Sequence, residues 1–431
     1  MAKGSGTRST VAILGALIGG LLLGIAAAGI DAPWRDPATR AALVIGGLWL
    51  DALKMTVIPL IVALLITGIV GSAEAARAGG LAGRSILWFV VVLTVSAIFG
   101  GLMMPALLSL FPLPQEAAAA LRVGLASVDA GATAASVPSA SDFLRSTIPP
   151  NVFAAAAEDK ILPLVVFTAI FAFAMTKIQA PKRKALAGFF DAISDTMLVM
   201  IAWVLWIAPV GVFALAFAVS AGAGAAALGA IAHYVVMISA LGLLIVIASY
   251  GVAVIFGRVP LGLFARAMVA PQAVAISTQS SLASLPAMLT AAKAIGIRET
   301  SADVALPLAV ALFRATGPAM NFGVAFYVAH WFGIEPSALQ MIAAIALASV
   351  MSYSAVSLPG QISFVTSIAP IALALGVPIE PLALLIAVET IPDIFRTLGN
   401  VMMDVAVTAA VDRRFDRSAA PARTPTRHPT A

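Results

Sequence analysis

Long apolar runs, parted by short polar stretches, set the pattern of this chain. Runs near 10–29, 42–72, 84–112, 151–177, 186–221, 225–257, 303–334 and 378–411 have the length of spanning helices, for which about 20 apolar residues suffice. Two further runs, near 260–293 and 338–374, are broken in the middle by small polar residues and proline. Residues 277–286 read STQSSLASLP and residues 352–361 read SYSAVSLPGQ. Non-helical backbone at membrane depth survives only where protein or a water-filled cavity surrounds it. The pattern therefore predicts an all-α polytopic membrane protein with eight transmembrane helices and two re-entrant helical hairpins.

Each broken segment alone reads equally well as a kink or an extramembrane loop. Together, in the second half of the chain, they point to the solute site of a secondary transporter, because half-helix N-termini attract anions and freed carbonyls coordinate cations. The last apolar run strengthens that reading. Its residues 393–404, DIFRTLGNVMMD, place Asp393, Arg396, Asn400 and Asp404 at i, i+3, i+7 and i+11, on one helical stripe. An ionisable group in hydrocarbon costs about 2.5 to 3.5 kcal/mol on insertion scales, so such a stripe faces an enclosed polar cavity.

Composition agrees with a membrane solvent. Of 431 residues, 61% are hydrophobic and 10% charged, against about 25% charged in soluble proteins, and mean hydropathy is +1.05. The chain has no cysteine, which excludes disulfides and thiolate chemistry. The net charge of +5 lies in loops and the tail and is read as topology, not nucleic-acid affinity. Arg77 and Arg84, then Lys177, Lys182, Arg183 and Lys184, then Arg258 and Arg266, then Arg413, Arg414 and Arg417 follow alternate spans. They predict a multi-pass protein of the cell (inner) membrane with both termini cytoplasmic. An enzyme is disfavoured: Ser280 as nucleophile has no histidine in either broken segment, and Lys293 lies at the far end of its arm.

Several motifs in order resemble the dicarboxylate/amino acid:cation symporter family, which contains the glutamate transporters and the archaeal aspartate transporter. They are LKMTVIPLI at residues 53–61, IPPNVFAAAAEDKILPLVVF from Ile148, APVGVFAL from Ala208 and the Asp393, Arg396, Asn400, Asp404 pattern of the last helix. The resemblance implies a glutamate-transporter-like elevator fold in a homotrimer surrounded by lipid. In it, residues 1–83 and 151–221 are scaffold helices, 84–112 the third helix, 113–150 an outer loop, 222–416 the rest of a moving transport domain and 417–431 a disordered cytoplasmic tail. It also implies site residues. Asp393 would receive an ammonium and Arg396 a carboxylate, as a bidentate guanidinium suits. Thr397 and Asn400 would join them, with Ser280 and Ser281 at the first hairpin tip and Leu358, Pro359 and Gly360 at the second. A sodium ion would lie among Gly317, Asn321, Asn400 and Asp404. No cofactor is expected beyond sodium or a proton as coupling ion.

Departures from the family pattern are equally specific. Gly323 and Ala325 stand where a sodium-binding aspartate and a substrate-binding threonine are expected, and Val90 where a tyrosine is expected. Arg314 is an added charge, read either as snorkelling to the cytoplasmic interface or as replacing a bound cation and neutralising Asp404 or another transport-domain carboxylate. Glu389 is read either as an outer-mouth residue or as a proton-binding carboxylate. His233 and His330 read as packing residues, and Asp191 and Asp195 as a helix start at the inner surface. The functional expectation is symport of a small anionic solute, an acidic amino acid or, alternatively, a C4-dicarboxylate, driven by a cation gradient.

Overall fold

The computed structural model describes residues 5–30, 33–77, 79–113, 148–158, 160–224, 226–352 and 360–419, and the ordered elements among them are helices. The first three expected spans are α1 (Ser5–Ala28), α2 (Arg35–Arg77) and α3 (Gly80–Leu110). The fourth is divided into α4 (Val152–Ala157) and α5 (Ile161–Met175), and the fifth into α6 (Ala180–Trp206) and α7 (Ala208–Ala223). Pro209 sits in the first turn of α7, where a missing N–H costs nothing but continuation of the preceding helix is blocked. The sixth is α8 (Ala226–Ile255). Residues 114–147 of the expected outer loop and 420–431 of the tail lie outside the described residues. Asp191 and Asp195 fall inside α6, three to four turns past its start at Ala180, and not at a helix start as expected.

The first broken segment forms a hairpin of α9 (Leu261–Thr278) and α10 (Ser281–Ala294), which pack on each other. Gln279 reverses the chain in the left-handed region at φ 49°, and Ser280 caps α10 by accepting from the Ala283 N–H at 3.2 Å. At 18 residues α9 is longer than its expected arm and would reach across a membrane by length and composition. It is the reversal at Gln279 that makes it half of a hairpin. The seventh span is broken into α11 (Glu299–Leu312) and α12 (Gly317–Phe332), with Pro318 in the first turn of α12. The second hairpin is α13 (Ala338–Met351) and α14 (Gly360–Ala374), and residues 353–359 at its tip lie outside the described residues. The last span is α15 (Pro381–Leu385) followed by α16 (Thr390–Ala419). Among the described residues six helices, α2, α3, α6, α8, α9 and α16, are long and apolar enough to cross a membrane.

Packing gathers α1, α2, α5, α6 and α7 on one another, while α8 to α11 lie against α16, and α3 lies along α12 and α13. Trp49 ties α2 to α6 by donating to the Val204 carbonyl at 3.0 Å. Residues 401–411 of α16 are buried all round, so this helix is the axis of its group. Close approach of α3 to α12 depends on Gly100. A Cβ there would lie 2.6 Å from Ala319 Cα and 2.7 Å from its carbonyl oxygen, which are backbone atoms that cannot swing aside. Gly100→Ala is therefore expected to destabilise the purified protein by about 1 to 3 kcal/mol. Gly15→Ala on α1, with nothing within 4 Å of the new methyl, is expected to be neutral or slightly stabilising. Thermal melting of both variants in detergent checks the pair, and equal melting points would refute the close-approach argument.

Candidate functional site

Arg396 stands in the second turn of α16, and most of the site is arranged by what its guanidinium touches. One terminal nitrogen donates to Glu389 Oε1 at 2.7 Å, the other to Asn321 Oδ1 at 2.6 Å, and Nε lies 3.6 Å from Asp393 Oδ1. The side chains of Arg396, Asp393 and Glu389 are 12%, 13% and 3% exposed, so these charges face each other and not bulk water. Glu389 is further held by the Tyr234 hydroxyl of α8, which donates to Oε2 at 3.1 Å. The outer-mouth reading of Glu389 is thus replaced: it is a buried partner of Arg396. It sits just before α16, where its carbonyl accepts from the Asp393 N–H at 2.8 Å, and an acidic side chain at a helix N-terminus also meets the positive end of the macrodipole.

Asn400, one turn further on, pins the break between α11 and α12. Its Oδ1 accepts from the Thr316 N–H at 2.9 Å and lies 2.7 Å from the Thr316 hydroxyl, which is also 3.0 Å from the Arg396 carbonyl. From the other side Ser96 of α3 donates to the Ala315 carbonyl at 2.5 Å, and Phe89 stacks on Phe313 at 4.5 Å between centroids. Two backbone groups that lose helical partners at the break, the Thr316 N–H and the Ala315 carbonyl, are thereby satisfied by side chains of α16 and α3.

A cavity of about 60 Å³ opens between this break and the first hairpin tip. Arg314, Asp393, Arg396, Thr397 and Asn400 line it together with Gln279, Ser280 and Ser281. The structure brings the expected substrate residues of α10 and α16 together there, with the N-terminus of α10 on one wall, an arrangement that suits a carboxylate. Gln279 holds that tip to α16 by donating to the Thr390 carbonyl at 3.3 Å. Leu358 and Pro359 lie outside the described residues, and Gly360 opens α14. Tyr234 and Gln279 were not assigned to the site by sequence, and Glu389 entered only through one of its two readings, as a proton-binding carboxylate.

The four expected sodium ligands do not form a cage. Gly317, Asn321 and Asn400 line a second cavity of about 10 Å³ with Arg314 and Arg396, near the lower limit of about 10 to 15 Å³ for a single water. Asn400 Oδ1 is already engaged by Thr316, and Asn321 Oδ1 lies 2.6 Å from a guanidinium nitrogen, where an added cation would be repelled. Asp404 is fully buried, and neither of its oxygens has a hydrogen-bond partner among the described residues. In this arrangement the set does not fit a sodium ion. Val90 is 40% exposed on α3 and lies outside both cavities. His233 sits between the Tyr327 hydroxyl at 2.9 Å and the Phe111 carbonyl at 3.0 Å, a packing role as expected.

Hairpins, broken helices and a charged cavity in a body of long apolar helices, together with the family the chain matches, define a multi-pass membrane transporter, not an enzyme. The chain belongs to the sodium:dicarboxylate symporter family, whose model matches residues 10–414. It is similar to the proton/glutamate-aspartate symporter of Escherichia coli (strain K12), 29% identical over 386 residues that cover 87% of this chain and 86% of the relative. It is also similar to the proton/sodium-glutamate symport protein of Bacillus subtilis (strain 168), 27% identical with 94% and 93% covered. The C4-dicarboxylate transport protein of Laribacter hongkongensis (strain HLHK9) is 24% identical, with 93% and 88% covered.

The network makes an ordered prediction. Glu389→Ala strands a buried guanidinium and is expected to cost about 3 to 5 kcal/mol, whereas Tyr234→Phe removes one hydrogen bond at about 1 kcal/mol. Melting of the two variants in detergent tests the order, and a Glu389→Ala protein as stable as Tyr234→Phe would show that the pair is not what holds Arg396.

Proposed function

We propose that the protein is a secondary active symporter for an acidic amino acid such as aspartate or glutamate. The observation that carries this reading is the charge pattern of the larger cavity: two guanidiniums, Arg314 and Arg396, and one carboxylate, Asp393, line it. An acidic amino acid presents the inverse, two carboxylates and one ammonium. Bidentate guanidinium contacts suit the carboxylates and Asp393 suits the ammonium. A C4-dicarboxylate is the second reading, favoured by the same two guanidiniums. It leaves Asp393 facing an anion, which opposes binding while that carboxylate is ionised. The names of the relatives span both substrate classes.

Coupling to a cation follows from charge. The carboxylates of Glu389, Asp393 and Asp404 outnumber the guanidiniums of Arg314 and Arg396 in the buried group. Adding an anionic solute deepens the deficit, and uncompensated charge away from water is costly. Positive charge therefore enters with the solute, as a proton or a sodium ion. The packing of α1, α2 and α5 to α7 apart from the helices around α16 supports a scaffold and a moving domain, hence an elevator mechanism. The distribution of basic residues supports an inner-membrane protein with both termini in the cytoplasm, and the homotrimer comes from the family resemblance.

Uptake into proteoliposomes under imposed sodium or proton gradients tests the proposal, and gradient-driven accumulation of aspartate or glutamate is expected. Arg396→Ala is expected to lower affinity for acidic solutes several hundredfold or more, since losing one partner of a buried pair costs about 3 to 5 kcal/mol. Near-normal aspartate and glutamate affinities in that variant would sink the assignment. Asp393→Asn is expected to weaken aspartate relative to succinate by about tenfold or more, through loss of the ammonium's charged partner. An unchanged ratio in competition assays would turn the choice towards the dicarboxylate.

A further inference from the structure

We infer that Glu389 is the residue through which a proton accompanies the solute: its carboxylate gives up its charge, by taking a proton from solvent on Oε2 beside Tyr234, when a solute carboxylate engages Arg396. The inference deepens the symport reading and rests on it for the solute, though not for the geometry of the pair. Glu389 meets the cavity only by way of one guanidinium. Arg396 lines the cavity of about 60 Å³, whereas Glu389 is not among the lining residues. Its Oε1 accepts from Arg396 at 2.7 Å, and its side chain is 3% exposed.

Charge decides which group must change. Arg396 already faces two carboxylates, Glu389 at 2.7 Å and Asp393 at 3.6 Å from Nε. A solute carboxylate would be the third around one guanidinium, and uncompensated charge away from water is costly. Asp393 lines the cavity and is the group that suits an ammonium, so neutralising it would forfeit that recognition. A proton on Glu389, outside the lining, relieves the repulsion and leaves the charges of the cavity wall as they are.

The partners of Glu389 suit both of its forms. Oε1 faces a guanidinium nitrogen, which only donates, so a proton on that oxygen would meet another hydrogen. Oε2 lies 3.1 Å from the Tyr234 hydroxyl, which donates to the carboxylate and, by rotating, accepts from the neutral acid. Both oxygens thus keep a partner after protonation: Oε1 goes on accepting from Arg396, and Oε2–H donates to Tyr234. The titratable and charged groups around Glu389, among the described residues, are Arg396 and Asp393 of α16 and Tyr234 of α8. On α12 the ring of Tyr327 lies 5.3 Å from that of Tyr234, and His233 of α8 reaches the Tyr327 hydroxyl at 2.9 Å, one residue further from Glu389.

Two measurements test it. Infrared difference spectra of solute-free protein in detergent, taken from alkaline to acid pH, are expected to show a neutral-carboxyl band that is absent from Glu389→Gln and shifted in Tyr234→Phe, which lacks the acceptor. Calorimetry of aspartate binding at fixed sodium, in buffers of different ionisation enthalpy, then counts protons. Above the pH at which that band appears, wild type is expected to take up about one proton per solute bound, so that affinity rises about tenfold for each unit of falling pH. Glu389→Gln is expected to take up none and to bind without that slope. A band unchanged in Glu389→Gln, aspartate binding by wild type without proton uptake, or uptake that survives in Glu389→Gln would each overturn the inference. Should Glu389→Gln fail to fold, the Tyr234→Phe band decides, and an unshifted band overturns it. Binding of neither aspartate, glutamate nor succinate by wild type sinks the proposed function alone, because the infrared arm still judges Glu389.

Discussion

A guanidinium kept from water must be surrounded by groups that answer its charge and its fixed fork of donors, and Arg396 imposes that demand on four separate elements. Glu389 answers from the turn before α16, Asn321 from α12, Asp393 from the same face of α16, and Tyr234 of α8 restrains Glu389 in turn. None of these positions can shift far without leaving either a buried charge or a buried donor unpartnered, and each such loss is larger than a typical surface contact. The cavity beside them inherits its shape from this constraint. Its charged wall is set before any solute arrives, which is what selective recognition of an anion in a low-dielectric body requires.

The same helix stabilises its opposite, a break in the helical ladder. After the Phe313 N–H donates to the Ala309 carbonyl, the i→i−4 pattern stops until Met320 donates to Thr316, and Asn400 and Ser96 take over part of the gap. Pro318 in the first turn of α12 prevents the ladder from reforming across the gap. A break of this kind exposes the ends of two half-helices at the depth of the site, so the energetic cost of interrupting a helix is coupled to the ability to bind charge. Gln279 does the same at the hairpin tip, with a left-handed backbone and a side chain fixed to the start of α16.

Much of this was legible in the residues. The stripe of Asp393, Arg396, Asn400 and Asp404 follows from helical spacing, and the two hairpins from apolar runs interrupted by hydroxyls and proline. What could not be read was partnership across elements. Glu389 read as either a mouth residue or a proton-binding carboxylate because it precedes the stripe. Its burial arises from Tyr234, some 155 positions earlier, and no local periodicity reports that contact. The orientation of α3 was hidden for a related reason: the helix is apolar on nearly every face, so its sequence gives no sign of which side meets α12, where Gly100 makes the close approach. Breaks within the fourth, fifth and last spans were also hidden, since a run of apolar residues continues through a kink as readily as through a helix.

A tethered cation and a diffusible one neutralise a buried carboxylate equally well but differ in what they contribute to transport. An ion drawn from a gradient brings free energy with it, including about 2.3 kcal/mol per charge for each 100 mV of membrane potential. It must also leave on the far side, and the emptied carboxylate must then return uncompensated or with a substitute. A cation fixed to the chain travels with its carboxylate in both directions, so it imposes no such penalty on the return step and supplies no driving force on the loaded one. In the larger cavity both signs of charge are fixed: Arg314, Arg396 and Asp393 line it together. A substitution at any of the three alters the charges that a solute there would meet, and with them the charge that must accompany it.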